Sequence, residues 1–110
     1  MRCATVVFAV TGLLLSMVEV AHARPVTQNQ AKMCRWGSEV AKNAQQLKLS
    51  GKTLWSTRRS IEGRQYAKPW MKKMAVGITE QTFASRSRMN PKEVKDTYYQ
   101  GCLRHEMARR

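Results

Sequence analysis

Beyond residue 26, apolar positions return every three or four residues rather than every second one, which is the spacing of helices. Met33, Gly37, Val40, Ala44 and Leu47 form one such stripe, with Ala41 beside it and Cys34 one turn in. Thr27 stands where an N-cap is wanted and Gln30 follows three residues later, the pattern of a capping box. Ser50-Gly51 closes the element, because glycine accepts the left-handed conformation of a helix end. Lys52 to Gly63 allows a shorter helix, with Leu54, Ile61 and Trp55 as inward candidates and Gly63 weakening its end. Gln65 to Lys68 reads as a connection. Pro69 suits a first helical turn, since the N–H it lacks would be unpaired there. From Trp70 the helical spacing resumes through Met71, Met74, Ala75, Ile78, Thr82 and Phe83.

Ser85 to Arg88 reads as a polar link, and Asn90-Pro91-Lys92-Glu93 is the clearest start signal in the chain. Asn90 caps, Pro91 takes the first helical position, and Glu93 can reach back to the cap's N–H. Val94, Tyr98 and Cys102 then share one face, and Arg109-Arg110 put cations where the helix dipole favours them. No segment sustains a strand alternation. The expectation is all-α: a small three- or four-helix bundle.

The N-terminus breaks this pattern. Met1-Arg2 is followed by an uncharged, mostly apolar run from Ala4 to Val18 and then by Ala21-His22-Ala23. A positive end, an apolar stretch and a small-x-small triplet predict a secretory signal over residues 1–23, cleaved after Ala23. A membrane anchor would need about 20 apolar residues, and Glu19 interrupts the run before that length. Cys3 precedes the run and cannot serve as an acylation site after cleavage. The expected product is one small domain over residues 24–110, periplasmic or secreted, with no transmembrane segment.

Export changes how the cysteines are read. Cys3 leaves with the leader, and Cys34 and Cys102 remain. A core this small is marginal, burying roughly 60–65% of the unfolded surface, and small exported domains often add a disulfide. The expected bond is Cys34–Cys102, worth about 4 kcal/mol in the chain-entropy model. Two buried thiols or an intermolecular pair are the alternatives. With one histidine after residue 23 and no CxxC, a zinc site is not expected.

The formal charge of the chain is +13. Lys48, Lys52, Arg58, Arg59, Arg64, Lys68, Lys72 and Lys73 fall within one stretch that holds a single acid, Glu62. Trp55, Tyr66 and Trp70 lie among them. Cations interleaved with aromatic rings suit an anionic surface: a membrane, a polysaccharide or a nucleic acid. The plain alternative makes the rings core anchors and the charges a solvated face. A third possibility is a module that binds another envelope protein through an apolar patch near Trp55 or Trp70.

Met71 and Met74, with His105 and Met107, could offer soft ligands to Cu(I). The two thioethers fit the core period without a metal, however, and Lys72 and Lys73 between them oppose a cation. Catalysis has little material. Asp96 is the one aspartate, and His105 and Glu106, at adjacent helix positions, point about 100 degrees apart. No glycine elbow or phosphate loop occurs. Neither an enzyme nor a cofactor is expected.

Cys34 early in an alanine-containing helix, the Gly51 turn, the Pro91-led last helix and Tyr98-Tyr99-Gln100-Gly101-Cys102 carry a resemblance. The chain resembles a broad group of small exported bacterial helical proteins, which have a signal peptide and one widely separated cysteine pair. The resemblance implies a periplasmic or secreted helical domain and no catalysis. It leaves the basic charge unexplained.

Overall fold

The computed structural model describes residues 25–109; the expected leader at 1–23 lies outside the described residues. Four helices account for 76% of them: α1 Gln28–Leu49, α2 Leu54–Glu62, α3 Pro69–Ala84 and α4 Pro91–Ala108. Among the described residues there is no strand, and no helix is long and apolar enough to cross a membrane. The all-α expectation holds, with four helices.

The ends form where the cap residues placed them. Thr27 Oγ1 accepts from the Gln30 amide at 3.1 Å, and Gln30 Oε1 accepts from the Thr27 amide at 2.9 Å. Thr53 opens α2 by accepting from Ser56. Asn90 opens α4 by accepting from the Lys92 amide at 2.8 Å. Glu93 sits in that first turn but makes no return bond to Asn90. Gly51, at φ 91°, supplies the left-handed residue after α1.

The long α1 is the organising element. It packs most extensively on α4 and next on α3, whereas α2 leans on α3 and barely touches α1. Cys34 and Cys102 are bonded, with Cα atoms 5.6 Å apart across 68 residues of chain, and fasten α1 to α4. The buried apolar set is small-bodied: Cys34, Ala41, Ala44, Ile61, Ala75 and Ile78. Small side chains let helix axes approach closely. Gly37 is the extreme case: a Cβ there would fall 2.8 Å from both Met74 Cε and the Tyr98 ring. Thus α1, α3 and α4 converge at a position where no side chain fits.

Trp55 departs from its expected inward place and is 67% exposed. The inward line of α2 runs through half-buried Leu54, then Thr57 and Ile61, at i, i+3 and i+7. Trp55 lies about 100 degrees around the helix from Leu54 and about 200 degrees from Thr57, so it faces away.

Candidate functional site

The basic segment spans the end of α1, all of α2, the connection at residues 63–68 and the first turns of α3. Of its eight cations, Lys48 is set apart. Its half-buried ammonium donates to the carbonyls of Thr82 and Ser85 at 3.0 Å and of Ser87 at 2.8 Å. All three N–H donors of the group are thereby used. Lys48 finishes α3 and holds the following link, and offers nothing to a ligand. Gln45, fully buried on α1, assists by donating to the carbonyls of Ser87 and Met89.

Arg58 is also engaged, with Glu62 at 3.5 Å and Glu80 at 3.0 Å. Lys52, Arg59, Arg64, Lys68, Lys72 and Lys73 are exposed, and none forms an ion pair among the described residues. The start of α3 concentrates this charge. Lys68 is its N-cap residue and makes no side-chain cap bond, and no acid stands in the first turn. The positive end of the helix dipole therefore adds to Lys68, Lys72 and Lys73 instead of being offset.

The aromatic residues divide. Tyr66 is tied down, its hydroxyl donating to the Ile61 carbonyl at 2.8 Å. Trp36 on α1 joins the group: its ring meets Tyr66 edge-on at 6.5 Å and Trp70 edge-on at 5.9 Å. Trp70 nevertheless stays 42% exposed. Trp55 carries the Arg59 guanidinium 4.9 Å from its ring centre, a cation–π arrangement on an otherwise open indole. The pattern along the chain gave no reason to single out Trp36, because its partners lie on other elements.

Beneath Tyr66 a groove of about 300 Å³ runs between α1, the 63–68 connection and α3, lined by Trp36, Val40, Leu47, Ile61, Tyr66 and Met71 among others. Met74 lines a different groove, of about 390 Å³, together with Met33, Tyr98, Cys102 and His105. The two thioethers weighed as a Cu(I) pair therefore line different grooves. Among the described residues, no cluster of three or more histidine, cysteine or acidic side chains could hold a metal ion.

Among the described residues, two ionisable groups are displaced from their ordinary range. Hydrogen bonds from Lys95 at 2.9 Å and Lys42 at 3.3 Å hold the Glu39 carboxyl below its usual value. Burial, with a lesser contribution from the Glu106 charge, pushes the Tyr98 phenol up. Glu39 and Lys95 form a bridge between α1 and α4, and Tyr98 belongs to the contact over Gly37. Neither perturbed group faces the exposed cations of α2 and α3.

No protein-family model, curated protein or solved structure matches the chain.

Proposed function

We propose that this chain is an exported helical protein that attaches to an anionic surface through its α2–α3 hairpin, and that the surface is a membrane rich in anionic lipid. One observation carries the reading: the exposed indoles of Trp55 and Trp70 lie on the same hairpin as Arg59, Arg64, Lys68, Lys72 and Lys73, none of which has an ion-pair partner among the described residues. A folded domain has little reason to expose two indoles unless something covers them. Indoles seat at the headgroup level of a bilayer, and each nearby lysine or arginine contributes about 1 kcal/mol on anionic lipid. The uncapped, all-cationic start of α3 lowers helix stability locally, which fits a segment kept for attraction. A lipid headgroup fits better than a nucleobase, because Arg59 already covers a face of Trp55 on which a base would stack.

Export supplies the setting. The leader pattern at residues 1–23 and the Cys34–Cys102 bond both support an oxidising compartment. The experiment has two arms. Intact mass of protein recovered from the expressing cell, with and without reductant, is expected to show cleavage after Ala23 and a gain of two hydrogens on reduction. A full-length chain with free thiols contradicts the export reading. Retention on immobilised heparin is expected to collapse between low and physiological salt, as screening requires. Binding that survives salt would favour a protein partner on the apolar rings instead.

A further inference from the structure

The groove that holds Met74 differs from the rest of this surface. It lies beside the Cys34–Cys102 bond, between α1, α3 and α4, and Met33, Met74, Tyr98, Cys102, His105 and Glu106 line it. Three other grooves described on the molecule each take in a cationic side chain: Arg64 in one, Arg35 and Lys95 in another, Lys52 in the third. The Met74 groove takes in none, on a chain of formal charge +13, and it includes the buried Glu106 carboxylate. Arg109 pairs with that carboxylate at 3.2 Å but is not among the lining residues.

The donors are of one kind. Both cysteines are closed in the disulfide and the Glu106 carboxylate is held by Arg109 and Gln30, which leaves two thioethers and one imidazole as the nitrogen and sulfur ligands. Thioether and imidazole donors suit a soft monovalent ion and serve hard divalent ions poorly. The fold constrains where these donors stand. Met33 adjoins Cys34, and His105 lies one turn beyond Cys102, so the covalent bond fixes both segments. Met74 is held from the third side, its methyl lying against Gly37 of α1.

We propose that Met33, Met74 and His105 form a site for a soft d10 cation, Cu(I) or its redox-inert counterpart Ag(I). The sulfur atoms of Met33 and Met74 and one imidazole nitrogen of His105 are the ligands. Glu106, already engaged by Arg109 and Gln30, does not ligate. Met71 and Met107 take no part: Met71 lines a different groove, and Met107 does not line this one. Met74 belongs to α3, but the groove takes in neither exposed indole and none of the exposed cations of the hairpin, so failure of either proposal leaves the other standing.

Silver nitrate in chloride-free buffer is the probe, added to disulfide-intact protein whose methionine methyl carbons are labelled. One equivalent is expected to move the Met33 and Met74 methyl signals and the His105 ring signals, leaving Met71, Met89 and Met107 in place. Met33→Leu with Met74→Leu is expected to weaken binding on the order of 100-fold, at least the loss expected for disturbing a ligand's supporting shell, whereas Met71→Leu does not. Circular dichroism confirms that the leucine variants stay helical. If no methionine signal moves, or if all move in proportion, the assignment is wrong. The wild-type spectrum decides this even if the double variant folds poorly.

Discussion

The Gln30 carboxamide joins the first helix of the bundle to the last. Its oxygen completes the capping box with Thr27, while its nitrogen donates to Glu106 Oε1 at 3.1 Å. The first turn of α1 is thus fastened to the last turn of α4, over a carboxylate whose side chain is 4% exposed and which Arg109 also engages. Glu106→Leu is expected to lower stability by about 1–3 kcal/mol, because a buried donor loses its acceptor. Gln30→Ala should also speed amide exchange in the first turn of α1, since the cap loses one arm. A denaturation midpoint unchanged by Glu106→Leu would show that the tie contributes nothing.

Two glycines should respond in opposite directions to the same change. Gly37→Ala drives a methyl group into Met74 and Tyr98 and is expected to cost about 1–3 kcal/mol as an overpacked contact. At Gly77, also inside a helix, an added Cβ meets nothing within 4 Å. Gly77→Ala is expected to stabilise by up to about 1 kcal/mol through helix propensity. Thermal midpoints of the two variants, measured side by side, separate steric from conformational effects.

Lys48 and Lys72 carry the same charge with different duties. Lys48→Met leaves three carbonyls at the end of α3 without their donor and is expected to cost about 1–3 kcal/mol. It should retain more heparin affinity than Lys72→Ala. Lys72→Ala should leave the thermal midpoint nearly unchanged and elute at lower salt. Equal elution shifts for the two variants would mean that net charge alone governs retention.

The two displaced ionisable groups set the pH response at opposite ends. The Tyr98 phenol is raised in the folded state, so its contribution is fully present below its ordinary value of 10.0 and is lost as pH climbs through the folded value. Tyr98→Phe is expected to blunt the alkaline loss of stability. Glu39 is lowered, so its contribution is present above its ordinary value of 4.5 and is lost as pH falls through the folded value. The effect of Glu39→Gln should be small and salt-sensitive, since the pair is 43% exposed on the carboxylate side. Thermal midpoints across both pH ranges check the signs.

Helix starts were the most legible part of the chain. Thr27, Pro69 and Asn90 each carry a local chemical signal, and each lies at a helix start. The Cys34–Cys102 pairing was legible too, because these are the two cysteines outside the expected leader. Polar groups with distant partners were not legible. Nothing local in the sequence marks Gln45, Lys48 or Glu106, yet each is buried or half-buried against groups from 34 to 76 residues away. Trp36 was overlooked for the same reason, since only the tertiary fold brings Tyr66 and Trp70 to it. Trp55 was misplaced because Thr57, a polar residue, took the inward position that hydrophobicity assigned to the indole. At the α2–α3 hairpin, charge was legible in composition, but which cations stay free required the partners of Lys48 and Arg58.

Co-sedimentation of the disulfide-intact protein with vesicles tests the hairpin reading most directly. The vesicles would be zwitterionic or contain anionic lipid, and tryptophan emission would be followed at low and physiological salt. The account predicts binding to anionic vesicles alone, with a blue shift that Trp55→Ala and Trp70→Ala each diminish and that added salt reverses. Equal binding to zwitterionic vesicles, or no emission change at any lipid concentration, would contradict it.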